Sequence, residues 1–201
     1  MTAGNCRSQL RPDRMTTGRS MATDALPRLV PDRRRLAFRS VNRPGRPGYD
    51  PGMQRHHLLP CQILKKRCFH PLLDCLGENR FSFDDFRSNG LLLPADDGAA
   101  IRFGLPLHRG PHRAYNAMVI ERVGQIEAGW SARRMQAPDT ALLEALERLH
   151  WLQRALRRRL LSEQRPFRLN RHDPLGRGFD FSELDAMADQ LWPATQHPAL
   201  D

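Results

Sequence analysis

Four histidines of this 201-residue chain fall in two tight clusters, His56-His57 and His108-Arg109-Gly110-Pro111-His112, with Asn89 between them. A neutral imidazole can ligate a transition metal or take up a proton near neutral pH. Three imidazoles can hold one divalent cation and leave positions open for a substrate. A phosphodiester is a poor electrophile until a metal polarises it and stabilises the leaving oxygen. A further neutral imidazole, free of metal, can draw a proton from water, which is typically worth roughly 10²–10⁴ in rate. Taken singly each piece is weak, since an adjacent pair and a His-x3-His spacing both arise by chance. His108 and His112 on one helix would share a face, but Gly110-Pro111 argues against a continuous helix there. No Glu follows either histidine in the HExxH manner, so a zincin site is excluded.

Local structure must bring these residues together. Residues 55–59 read as a short strand ended by Pro60, and Leu91-Leu92-Leu93 before Pro94 as a second, with Asn89 just ahead of it. Adjacent strand residues face opposite ways, so His56 and His57 are expected to have two distinct roles; spacing does not say which is which. Residues 111–128 read as a helix with Pro111 in its first turn, Tyr115, Val119, Ile120, Val123 and Ile126 as its apolar face, and Gly129 placed to end it. His108 then closes a loop and His112 enters the first helical turn, where free N–H groups suit a phosphate. Residues 61–77 read as a helix broken or kinked at Pro71, with Ile63, Leu64, Leu72, Leu73 and Leu76 apolar and Cys61, Cys68 and Cys75 expected as small core residues. The strongest pattern lies at 139–162, where leucines 142, 143, 146, 149, 152, 156 and 160 keep helical spacing. This stripe is expected to cover the core rather than to dimerise, because a small two-strand unit buries little alone. Ser182-Glu183-Leu184-Asp185 reads as a capping box opening a last helix that ends before Pro193.

Formal net charge is +10, and its placement matters more than its size. Residues 1–60 hold twelve Arg against four Asp, a net +8, whereas residues 61–201 hold 20 basic and 18 acidic side chains, a net +2. Residues 1–52 are rich in Arg, Pro, Gly, Thr and Ser without a sustained period, and are expected to form a largely disordered arm. Arginine forks suit phosphates. No run approaches the ~18 apolar residues of a membrane span. No apolar h-region marks an export signal, so a cytoplasmic location is expected, with delivery by a signal-independent secretion system left open. Four cysteines without a CxxC do not make a disulfide scaffold. The expected fold is α+β and mostly helical. It divides into an arm over 1–52, a functional domain over 53–130, and a helical C-terminal extension over 131–201 that packs on the core.

The segments Gln54-Arg55-His56-His57-Leu58-Leu59-Pro60, Asn89-Gly90-Leu91-Leu92-Leu93-Pro94 and Leu107-His108-Arg109-Gly110-Pro111-His112-Arg113-Ala114-Tyr115-Asn116 together resemble the AHH nucleases of the HNH/endonuclease VII superfamily. The resemblance covers roughly residues 53–128. It implies a small ββα-metal, HNH-like core in which two strands and a helix grip one divalent ion (Mg, Mn, Ni or Zn). It implies that His56, His108 and His112 are the metal ligands, that His57 is the general base, and that Asn89 braces the loop positioning it. The sequence departs from the family in one respect: Arg55 stands where the family name expects Ala, which leaves the ligands intact but bears on local packing or adds a phosphate contact. Arg109, Arg113 and Asn116 are candidates for contact with the scissile phosphate or for supporting the ligands from behind. For the two arginines the alternative is solvated charge, and for Asn116 a helix-face hydrogen bond. Tyr115 is assigned to core packing, and His70, His150, His172 and His197 to surface or structural positions.

The leading expectation is therefore an HNH-type endonuclease that needs a divalent metal and hydrolyses phosphodiester bonds in nucleic acid. DNA cut with low sequence specificity is favoured over RNA, although this chemistry needs no readout of a 2′-hydroxyl. A toxin neutralised by an immunity protein and a housekeeping or mobile-element nuclease are the two biological settings. The competing class is a non-catalytic, metal-stabilised nucleic-acid-binding module. A structural metal site is closed and four-coordinate, which fits three ligating histidines and a fourth held apart less well.

Overall fold

A computed structural model describes residues 34–162, 167–170 and 172–175. The expected helix opening at Ser182, and His197, lie outside these residues. The fold is α+β and mostly helical, with one two-stranded antiparallel sheet. Strand β1 (Met53–His57) pairs with β2 (Gly90–Pro94), with His56 opposite Leu91 and His57 opposite Gly90. Both strands sit within two residues of their expected positions. The pairing is extended by one further bond, from Leu58 N to Asn89 O at 2.8 Å. Gly90 has a steric cause: a Cβ there would overlap the ring of Phe86.

Residues 61–77 do not form one kinked helix. Two short 3-10 turns, Cys61–Lys65 and Arg67–Phe69, lead into α1 (His70–Arg80), and Pro71 occupies the first turn of α1. A proline in that position loses no helical hydrogen bond and supplies the right φ, so it starts the helix instead of bending it. Leu72 and Leu76 of α1 are buried, and Ile63 ahead of it is too, while Leu64 and the three cysteines are exposed. The expectation of core cysteines fails because each falls outside the inward stripe that these larger side chains occupy.

After the short α2 (Phe86–Asn89) and β2 comes α3 (Asp97–Phe103), capped by the Asp96 carboxylate accepting from Ala99 N at 2.8 Å. Helix α4 (Arg113–Arg133) starts after Pro111 and continues through Gly129. Burial of Ile126 and Trp130 on either side of Gly129 outweighs the ~1 kcal/mol helix penalty of a glycine. Helix α5 (Pro138–Leu160) lies against α4, α1 and α2. Its Leu146, Leu149, Leu152, Leu156 and Leu160 share one apolar cluster with Leu58, Leu59, Leu93, Tyr115 and Val119, directly behind the sheet. A fully buried leucine contributes on the order of 2 kcal/mol, so α5 is integral to the core.

Composition places residues 1–52 in a disordered arm; residues 1–33 lie outside the described residues, whereas residues 34–52 pack onto the domain. Ala37 bridges Asp85, Phe86 N donates to Leu36 O at 2.7 Å, and Phe38 is buried. The Asn42 side chain donates to Asp50 O and Met53 O and accepts from Asp50 N, which closes the following loop at the start of β1. Composition misses this because one buried Phe, one Asn and backbone hydrogen bonds do the anchoring among many polar residues. Among the described residues no helix is long and apolar enough to cross a membrane.

Candidate metal centre and active site

Strand alternation separates the paired histidines. His56 is 2 % exposed and points towards His108 and His112, with ring centroids 4.8 and 5.3 Å away. The His108 and His112 rings lie 4.4 Å apart. One ligand nitrogen from each of the three can be chosen so that all lie within 4.8 Å of one another. His57 goes the other way and stacks flat on Phe38, with centroids 3.7 Å apart and planes 2° from parallel.

Each member of the trio is held by a different element. His56 belongs to β1. The loop before α4 carries His108, whose backbone N–H donates to Pro94 O at the end of β2. His112 is the N-cap residue of α4, one position outside the helical turn where spacing places it, because the turn at Gly110 (φ 78°) delays the first helical residue to Arg113. The amide oxygen of Gln54 lies 3.3 Å from His108 Nδ1 and can only accept, which leaves the Nε2 lone pair of His108 free. The sequence reading overlooks Gln54. Its only signal is its position two residues before His56, on the same face of β1. Tyr115 is buried, donates to Leu58 O at 2.8 Å and packs edge-on to His56.

The donor set fits a cation. His56 Nε2 and His112 Nδ1 are buried and have no hydrogen-bond partner among the described residues. Unpartnered buried nitrogens are costly, and imidazoles converging on one point suit a transition-metal dication. Their protonation is right for it. Burial, reinforced by His108, His112 and His57, pushes His56 well below the usual histidine value. Burial, then His112 and His57, takes His108 down to about 4, and burial lowers His112. His57 is also lowered, chiefly by burial; Asp84 opposes this and Arg55 reinforces it.

Rings held neutral in this way make stability depend on pH. Below about pH 6.5 the unfolded chain binds protons that the metal-free folded trio does not. The trio's contribution is therefore complete above that pH and is lost as pH falls from about 6.5 towards 4. At 1.36 kcal/mol per pKa unit, His108 alone removes on the order of 3 kcal/mol. The Tm of EDTA-stripped protein should fall steeply over this window, and metal loading should carry the fall to lower pH. A flat Tm in the stripped protein would contradict rings held neutral.

Asn89 is fully buried and has no exposure to a substrate. Its Oδ1 accepts from Leu59 N at 2.8 Å and its Nδ2 donates to Leu59 O and Phe83 O, both at 3.2 Å, so it grips the backbone just after His57. Arg55 is exposed and donates to Phe38 O at 2.9 Å, tying β1 to the segment that carries the ring stacked on His57. The sequence reading also overlooks Phe38, which sits in a stretch dominated by Arg and Pro. Arg109 and Arg113 are exposed beside the trio, and Arg109 lies 3.7 Å from Asp97. Asn116 is in the first turn of α4, its N–H bonded to His112 O. Two other histidines stay apart from the cluster: His70 Nε2 meets Leu64 O, and His150 packs near Phe81.

A family described as "AHH: A nuclease family of the HNH/ENDO VII superfamily with conserved AHH" matches residues 37–151. No curated protein and no solved structure matches the chain. The match takes in more than half of the chain, including both histidine clusters, Asn89 and Phe38, and the chain belongs to the AHH nuclease family.

Proposed function

We propose that the protein is a metal-dependent endonuclease that hydrolyses phosphodiester bonds in DNA with little sequence preference. The observation that carries this reading is the division of four histidines by one strand: three converge, two of them with unpartnered buried nitrogens, and the fourth stands apart on Phe38. In this reading His56, His108 and His112 hold one divalent cation, which when bound polarises the phosphodiester and stabilises the leaving oxygen. His57, neutral at pH 7, takes the proton from the attacking water. Phe38 holds the His57 ring by its face and leaves its edge nitrogens free. Asn89 fixes the backbone behind it, and Arg109 and Arg113 flank the ligands where a phosphate would bring charge.

The test is plasmid nicking with Mg²⁺, Mn²⁺, Ni²⁺ or Zn²⁺ against EDTA. Cutting that depends on added metal supports the reading, while DNA binding without turnover under all four metals leaves the binding-module alternative. Single-stranded RNA offered alongside decides the substrate. Expression of the intact chain and of His57→Ala in one host separates a toxin, for which only the intact chain arrests growth, from a housekeeping enzyme.

Nucleic acid would reach the site past a basic surface. Of the arginines in residues 1–60, Arg34, Arg35, Arg39, Arg43, Arg46 and Arg55 are exposed on the segment that carries Phe38 or on β1 beside it. Each phosphate neutralised contributes about 0.9 to the slope of log K against log salt. Replacing Arg39, Arg43 and Arg46 by Ala should flatten that slope by roughly 3. An unchanged slope would take this surface out of the interface.

A further inference from the structure

We propose that Gln153 on α5 is a positioning residue for the active site, with Arg157 as its support; this rests on the roles given to Asn89 and His57 above. Gln153 interrupts the apolar face of α5, between Leu152 and Leu156, and is 3 % exposed. Burying an amide there costs free energy unless it is hydrogen-bonded, and a helix needing only to cover the core would carry another leucine. The Gln153 Nε2 donates to Asn89 Oδ1 at 3.3 Å. That oxygen also accepts from Leu59 N, and Asn89 Nδ2 spends its two protons on Leu59 O and Phe83 O. Gln153 thus completes the four hydrogen bonds an Asn amide can make. It also fixes which end of the amide faces Leu59 N.

One turn further along the same face, Arg157 donates to Arg87 O at 2.7 Å and reaches Ser88 O at 3.4 Å. The two side chains, spaced i and i+4, therefore hold three consecutive residues, 87–89. The hold passes on to the site. Asn89 O accepts from Leu58 N, Asn89 Oδ1 accepts from Leu59 N, and Tyr115 donates to Leu58 O. Asn89 Nδ2 donates to Leu59 O, so all four backbone polar groups of the two residues that follow His57 are pinned. Both Gln153 and Arg157 lie beyond residue 151, where the family match ends. This chain supplies part of the support of its site from outside the matched stretch.

The test is Gln153→Met, which keeps length and apolar packing but removes the donor. In metal-loaded full-length protein, kcat for plasmid nicking should fall roughly 10-fold, with KM and metal content unchanged. Asn89→Ala combined with Gln153→Met should be no slower than Asn89→Ala alone, because the two act as one unit. Effects that multiply, or an unchanged kcat, overturn the proposal. A second readout does not depend on cutting: in ¹⁵N-labelled protein the Leu59 amide and the His57 ring nitrogens should shift in Gln153→Met and stay put in Leu149→Met. Unmoved Leu59 and His57 signals overturn the proposal even if the wild type proves inactive, whereas an inactive wild type with shifted signals removes the nuclease reading alone. If Gln153→Met fails to fold, Gln153→Leu, which also lacks the donor, takes its place in both measurements.

Discussion

His57→Ala should reduce nicking by roughly 10²–10⁴ and leave bound metal at the wild-type level. The size follows from the base role proposed for His57; the retained metal follows from strand geometry. His57 stacks on Phe38 and is not one of the three converging rings, so its truncation leaves the His56, His108 and His112 nitrogens in place. The pH profile gives a second check. Burial lowers His57 below the usual 6.5, so the ring is neutral at pH 7 and activity should fall only as pH drops below that value. In His57→Ala the residual activity should lose that acid limb. If His57→Ala loses its metal instead, the two adjacent histidines have exchanged roles.

His56→Ala should remove metal binding and cutting together. It deletes the most buried of the three proposed ligands, and the loss in affinity should exceed the roughly 10–100-fold that follows when only a ligand's outer partner is removed. It also leaves a void beside Tyr115, which should cost on the order of 2 kcal/mol at neutral pH. The stripped variant should nevertheless be less sensitive to acid than the stripped wild type, since one of the rings held neutral below its ordinary pKa is gone and the repulsion it exerts on its neighbours goes with it. Metal analysis and Tm measured at pH 7 and pH 4.5 separate these effects. A variant that still binds one equivalent of metal tightly would exclude His56 as a ligand.

Much of the local structure follows from residue pattern. The two strands are legible because each is a short run bounded by a proline and no helical period competes with it. The leucine stripe of α5 is legible because a long periodic face has few alternatives. The ends of elements are less so. Residue pattern alone stops α4 at Gly129, but a buried Trp130 carries the helix past it. The same pattern breaks a helix at Pro71, where one begins. At Gly129 a local preference yields to burial of Trp130, whereas Pro71 follows its own preference for a first helical turn.

The sequence by itself determined the chemical inventory of this protein: which side chains can ligate or accept a proton, and that strand alternation must send His56 and His57 to different surroundings. Spacing cannot say which of the two faces the later pair, since a two-residue period is blind to the identity of the two faces. Only the tertiary structure decided that His56 meets His108 and His112, that a ring from the Arg-rich N-terminal stretch stacks on His57, and that a glutamine 64 residues from Asn89 completes its hydrogen bonds. Those contacts join distant segments and are set by how α5 and residues 34–52 close over the sheet, where burial leaves each polar group few available partners.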